Sequence, residues 1–300
     1  MSRNSSIGWK GLYAVLAIAA LLSSNCGGSK KTIVVGSKAT TEQVILGEIV
    51  AQHLEQRLGR AVTRSLGLGN TPEVYQAMMN NQIGLYPEET GTIQAAILKE
   101  SPSSDASTTL ERTRNEIRRI AQFELLDPLG IDNSWAVVVS QEEADRSKID
   151  TMSDAARVKT GWKIGVTREF NERTDGLAAL NQYRMPMIAM TRVADSGTLY
   201  AALEKGELTM VIGNVTDGQL AGHEGWKMLR DDKKVFGFYQ TCLMVRADLL
   251  ANDPKIQVAL AELAGKLTKE GIRKLDAEVA VDHKKAADVA AAFLQRAGLK

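Results

Sequence analysis

Few residues in this chain have the types and spacing that bond-making chemistry needs. His53, His223 and His283 are its only histidines, and none stands at a metal-ligand spacing from a cysteine or from another histidine. No metal and no cofactor are expected. Gly67-Leu68-Gly69 lacks the third glycine of a dinucleotide loop and the Gly-Lys-Ser/Thr of a phosphate loop, so it reads as a turn. Tyr86-Pro87-Glu88-Glu89-Thr90-Gly91-Thr92 is more informative. It lies between a short expected strand, residues 83–86, and an expected helix, residues 93–99. A Thr-Gly-Thr turn at such a junction leaves backbone N–H groups and two hydroxyls pointing outward, which is how α/β folds hold a small anionic group at a helix start. The chemistry this suggests is binding.

The junction needs a scaffold, and the pattern supplies one. A strand at residues 32–35 leads into a helix at 41–58, where Ile45, Ile49, His53 and Leu54 fall at helical spacings. A strand at 61–66 runs into a helix from Pro72 to Met79, with Thr71 as the expected N-cap. This alternation predicts α/β layers around a mainly parallel sheet. A charged helix at 110–123 follows, and the apolar strand 133–139 is long enough to cross between lobes. The second block contains strands at 163–166, 188–191 and 208–212 and helices at 176–183, 198–204 and 217–223. A return crossing at 238–245 and C-terminal helices at 253–267 and 269–297 complete the expectation. Residues 31–134 with 246–300 would form one lobe and 135–245 the other, with one cleft between them.

At the N-terminus, Arg3 and Lys10 precede an apolar run, residues 11–22, and then Ser23-Ser24-Asn25-Cys26-Gly27-Gly28-Ser29. The pattern is that of a secretory signal, residues 1–25, followed by a tether, 26–30, and the run is short for a membrane span. Cys26 stands where a bacterial lipoprotein carries its diacylglycerol, with Ser23 and Asn25 in place of the usual Leu and small residue. The protein is expected to be exported to the periplasm or the outer face of the cytoplasmic membrane and anchored there by lipid. With Cys26 lipidated, Cys242 has no partner for an internal disulfide and reads as a small buried side chain. At 44% hydrophobic and 24% charged, 300 residues can bury a large core and make two domains. The net charge of +1, slightly negative once Arg3 and Lys10 are removed, gives no long-range field for nucleic acid.

Taken together, Ile33-Val34-Val35-Gly36-Ser37-Lys38, Thr41-Glu42-Gln43, Leu46-Gly47, the Tyr86–Thr92 run, Glu169-Phe170-Asn171-Glu172-Arg173-Thr174-Asp175-Gly176-Leu177 and Thr216-Asp217-Gly218 form an ordered set. The set resembles the substrate-binding proteins of ABC importers for glycine betaine, choline, carnitine and related osmoprotectants. The resemblance spans almost all of residues 31–299. It implies a type II periplasmic binding-protein fold: two α/β lobes that hinge shut over a small zwitterion and deliver it to an ABC permease with its ATPase, without enzymatic chemistry.

Carried over motif by motif, the resemblance places a carboxylate clamp at Lys38, Thr92 and Arg173. A point charge, a hydroxyl near a helix start and a planar fork all suit that task. Gln43 and Thr71 match polar pocket positions, and Thr71 reads equally as a helix cap. The aromatic cage for a quaternary ammonium corresponds to Glu89, Trp135, Asn214 and Tyr239, of which only two are rings. Glu89 and Asn214 would suit a cation bearing N–H donors, such as an amine zwitterion derived from an amino acid. Alternatively, Glu89 would turn aside to pair with Lys38 or Arg173, and Tyr86 or Tyr183 would supply a missing ring. A solute-sensing domain or an enzyme on the same scaffold is the rival reading. The enzyme lacks a visible base, and the sensor lacks a signalling module.

Overall fold

The computed structural model describes residues 32–100, 105–193 and 196–300. The expected signal segment, the tether and Cys26 lie outside the described residues. Among the described residues, two five-stranded sheets, each flanked by helices, make up the fold. The first is ordered β2-β1-β3-β10-β4, from Thr63–Ser65, Val34–Gly36, Leu85–Glu89, Thr241–Arg246 and Phe123–Leu125. The second is ordered β7-β6-β8-β5-β9, from Met187–Val193, Trp162–Thr167, Met210–Asn214, Trp135–Ser140 and Trp226–Leu229.

The alternation of strand and helix correctly indicates α/β layers, yet both sheets are mixed. β1 runs parallel to β2 and β3, whereas β10 is antiparallel to both β3 and β4. In the second sheet β6 is parallel to β7 and β8, and β5 is antiparallel to β8 and β9. The antiparallel members arise because the chain enters each sheet from the other one, without the helical crossover that forces parallel pairing.

The two connecting segments lie side by side. Asp132 and Gln240 form an antiparallel bridge, and the Asn133 and Thr241 N–H groups donate to Tyr239 O and Ile131 O, both at 3.0 Å. Residues 238–245 therefore do not cross as one unit. Thr241–Arg246 is a full strand of the first sheet, with Cys242 wholly buried, and only the residues just before it span the lobes. Each sheet has its own apolar packing. Leu46, Leu54, Leu85, Leu243 and Leu260 lie in one core, and Val137, Trp162, Ile164, Phe170 and Ile212 lie in another. The C-terminal helices contribute Ile272, Leu275 and Leu294 to the first core.

Several elements differ from their sequence-based outlines. β3 extends through Glu89, so Glu88 and Glu89 are strand residues with alternate side-chain directions. The expected helix at 217–223 is a single 3-10 turn, Gly218–Leu220. The expected helix at 269–297 divides into Lys269–Ala280 and Ala286–Arg296. Asn70, not Thr71, is the N-cap of the Thr71–Met79 helix, and its N–H donates to the Glu73 carboxylate at 2.9 Å.

Candidate ligand-binding site

A cavity of about 590 Å³ opens between the two sheets, a volume suited to a small organic ligand. Lys38, Gln43, Glu89 and Thr92 line it from the first lobe, with Trp135, Arg173, Asn214 and Tyr239 opposite or at the crossings. These are eight of the nine residues that the sequence singles out. Thr71 is not among the lining residues. It is 1% exposed in the first turn of its helix, and Asn70 reaches the cavity in its place. Neither spare ring reaches the cavity either. Tyr86 is fully buried in the first lobe, and the Tyr183 hydroxyl donates to Asp231 in the second.

The Thr-Gly-Thr turn is used differently from the outward-facing anion cradle expected of it. The Thr90 N–H donates to Gln240 O at 3.0 Å, and the Thr90 hydroxyl accepts from the Gln240 N–H at 3.2 Å. That hydroxyl is committed to the return segment. Gly91 lies beneath Tyr239, whose ring would stand 2.6 Å from a Cβ at this position. Only the Thr92 hydroxyl meets the opposite lobe, accepting from Arg173 Nη1 at 3.0 Å.

Local structure fixes Arg173. The Arg168–Glu172 helix starts with the Thr167 hydroxyl accepting from the Phe170 N–H and ends with Arg173 in extended backbone, so the side chain turns off the helix axis into the cleft. Nε and Nη2 then form a fork on Asp175 at 2.9 and 2.5 Å, and Nη1 also donates to Glu169 at 2.9 Å. Tyr239 donates its hydroxyl to Asp175. The guanidinium lies 5.2 Å from the Trp135 ring centre and 5.6 Å from that of Tyr239, within cation–π range of both. Burial opposes its charge, but Asp175, Tyr239 and Glu169 together outweigh burial and raise the pKa further above its usual value.

Lys38 is likewise occupied. Its Nζ donates to Glu88 at 2.6 Å and to Glu89 at 2.5 Å. Of the two roles open to Glu89, pairing with Lys38 is the one this geometry adopts. Burial disfavours ionising either glutamate. Beside Lys38, Glu89 is nevertheless held below its usual value, while burial pushes Glu88 above its own. The two carboxyls thus share one negative charge against one ammonium. The Gln43 Nε2 donates to Glu89 at 2.7 Å, which leaves Gln43 Oε1 as a buried acceptor with no partner among the described residues.

The sequence reading missed a polar group at the back of the cleft. The Thr216 hydroxyl donates to Asn133 Oδ1 at 2.6 Å, and Asn133 Nδ2 donates to Glu42 at 3.3 Å. Burial raises Glu42 to about 8, Asp276 to about 7 and Asp217 to about 6. Glu42, Thr216 and Asp217 all fall within the motifs quoted above. Asn133, at the start of the expected crossing strand, carried no comparable signal.

Two α/β lobes joined by paired crossings, with a polar and aromatic cavity between them, define a solute-binding protein of the type II periplasmic kind. Residues 31–296 match the family described as the substrate binding domain of ABC-type glycine betaine transport systems, and the chain belongs to that family. It is a transporter component, not an enzyme. The chain is 28% identical over 294 residues to the carnitine transport binding protein OpuCC of Listeria monocytogenes, covering 95% of each. It is 30% identical over 292 residues to the ergothioneine transport permease/ergothioneine binding protein EgtU of Helicobacter pylori, covering 96% of this chain and 52% of that one. A crystal structure titled as a glycine betaine/carnitine/choline ABC transporter shares the fold with a TM-score of 0.77 at 24% identity, covering 89% of this chain and 99% of that one. No described helix is long and apolar enough to cross a membrane.

Proposed function

We propose that the cleft captures a small zwitterion or cation of the betaine, carnitine or choline type for an ABC permease and its ATPase, outside the cytoplasmic membrane, with Cys26 as the lipid anchor. The observation that carries this reading is the convergence of Arg173, Thr92, Trp135 and Tyr239 on one interlobe cavity. Family membership and the relatives named for carnitine and ergothioneine support it. Hinge closure would select the ligand by its contacts with both lobes at once.

A second reading concerns the cationic end. Arg173 already lies against both rings, while the remaining cage positions are the carboxylate Glu89 and the amide Asn214. Gln43 Oε1 adds an acceptor without a partner among the described residues. Acceptors favour a cation that carries N–H groups, or a betaine with such groups elsewhere, as in the ring of ergothioneine.

Calorimetric titration tests both readings. The panel comprises glycine betaine, choline, carnitine, ergothioneine, and the stepwise demethylated series dimethylglycine and sarcosine. Saturable binding of at least one compound supports the first reading, and failure of the folded protein to bind any of them overturns it. The second predicts affinity that rises as methyl groups are replaced by hydrogen, or a preference for ergothioneine over carnitine. Tightest binding of glycine betaine itself would sink it.

A further inference from the structure

The Thr216-Asp217-Gly218 run takes part in more than the cavity wall. It follows β8 of the second lobe and meets the Lys269–Ala280 helix, whose Ile272 and Leu275 are packed into the first-lobe core. Three hydrogen bonds join the lobes there. The Gly218 N–H donates to Asp276 Oδ2 at 2.7 Å, and Arg273 Nε donates to Val215 O at 3.0 Å, with Nη2 bonding to the same carbonyl. Arg273 and Asp276 are three residues apart and Ala277 and Ala280 continue the stripe, so one face of the helix is turned to the other lobe.

The approach is close enough to exclude a side chain. A Cβ on Gly218 would come within 2.5 Å of Ala277 N and 2.7 Å of the Asp276 carbonyl carbon, both backbone atoms that cannot swing aside. The obstruction comes wholly from the opposite lobe, because Gly218 lies outside the left-handed region and its own backbone accepts any residue. The same run is tied to the ligand side. Asp217 accepts from the Asn214 N–H at 2.8 Å and from the Tyr200 hydroxyl at 2.9 Å, and Thr216 bonds to Asn133 at the crossing.

We propose that Gly218, Val215, Arg273 and Asp276 form a latch that holds the lobes together at the cleft, with Gly218 present because the latch can engage only where no side chain intervenes. The latch sets the balance between open and shut forms, and hence the apparent affinity for any ligand, through residues other than the carboxylate clamp and ring positions. It depends on the two-lobed fold and not on which solute the protein carries.

The test reads closure directly and needs no ligand. In the wild-type protein the Gly218 amide should be protected from hydrogen exchange. In Asp276→Ala the same amide should exchange roughly tenfold faster or more, the effect of losing one hydrogen bond. Amides of β6 and β8 in the second-lobe core should be unchanged, which separates unlatching from unfolding. Gly218→Ala should raise the radius of gyration measured by small-angle X-ray scattering while leaving the far-UV spectrum as in wild type. Arg273→Gln, which keeps the helix face polar, should shift the scattering in the same direction. Wild-type exchange of the Gly218 amide at the solvent rate, protection indifferent to Asp276→Ala, or a Gly218→Ala protein as compact as wild type would each overturn the proposal.

Discussion

Arg173 spends nearly all its donors inside the protein: a fork on Asp175, one contact to Glu169 and one to Thr92. A side chain held this way loses little rotamer freedom when a ligand arrives, so its remaining capacity is pre-organised. Lysine at this position would keep a charge but could not span Asp175 with two donors and still reach Thr92 across the cleft. Arg173→Lys should therefore weaken binding of the tightest ligand in the titration panel by about 1.5 to 3 kcal/mol, the range for charge-assisted hydrogen bonds. Calorimetry of the folded variant checks this, and unchanged affinity would mean that Arg173 serves only to join the lobes. Lys38 differs because its ammonium is balanced by Glu88 and Glu89 in a nearly dry setting. It could meet a ligand carboxylate only in competition with Glu89.

At the scale of elements, the strand-turn-helix around Thr90–Thr92 shows how one residue serves packing and site together. Gly91 lets Tyr239 lie flat over the turn, and there the Tyr239 hydroxyl bonds to Asp175, which in turn holds Arg173. Gly91→Ala would put a methyl group 2.6 Å from that ring and 2.8 Å from Phe238 O. The overpacking should cost about 1 to 3 kcal/mol of stability and displace Tyr239 from Asp175. Chemical denaturation and the near-UV aromatic signal measure the two effects, and a variant with wild-type stability and spectrum would refute the packing argument. The sequence made this junction visible because turn residues announce themselves locally. The family resemblance chose the nine residues of which eight line one cavity, and strand and helix periodicity gave the Thr41–Leu58 helix its observed limits. It could not give the antiparallel placement of β10, which depends on where the chain re-enters a sheet, nor the pairing of Lys38 with Glu88. That pairing follows from Glu88 and Glu89 both reaching one ammonium from successive strand positions, a register detail with no signature in residue type.

For the molecule as a whole, the cleft gathers acid between the lobes. Glu42, Asp217 and Asp276 are raised by burial to about 8, 6 and 7, against ordinary values of 4.5, 3.8 and 3.8. For a carboxyl raised in this way, the stability it lends is complete below its unfolded pKa and is lost as pH climbs through the folded one. Thermal stability should thus decline between about pH 4 and pH 8. Glu88, which burial raises beside Glu89, adds to the same decline, whereas Glu89, held below its ordinary value by Lys38, does not. The same ionisations make the cleft more negative as pH rises. Choline keeps its charge throughout this range and has no carboxylate of its own, so it reports the change cleanly. If it binds, its affinity should increase over the pH interval in which the melting temperature falls. Glu42→Gln should flatten the alkaline part of both curves, since it removes the carboxyl with the highest folded value of the three and keeps an amide able to bond Asn133. Calorimetry with choline and thermal melts at matched pH values provide the check. A melting temperature that climbs with pH, or a Glu42→Gln protein that follows wild type at every pH, would show that these carboxyls are already ionised and that the cleft bears its full negative charge near neutrality.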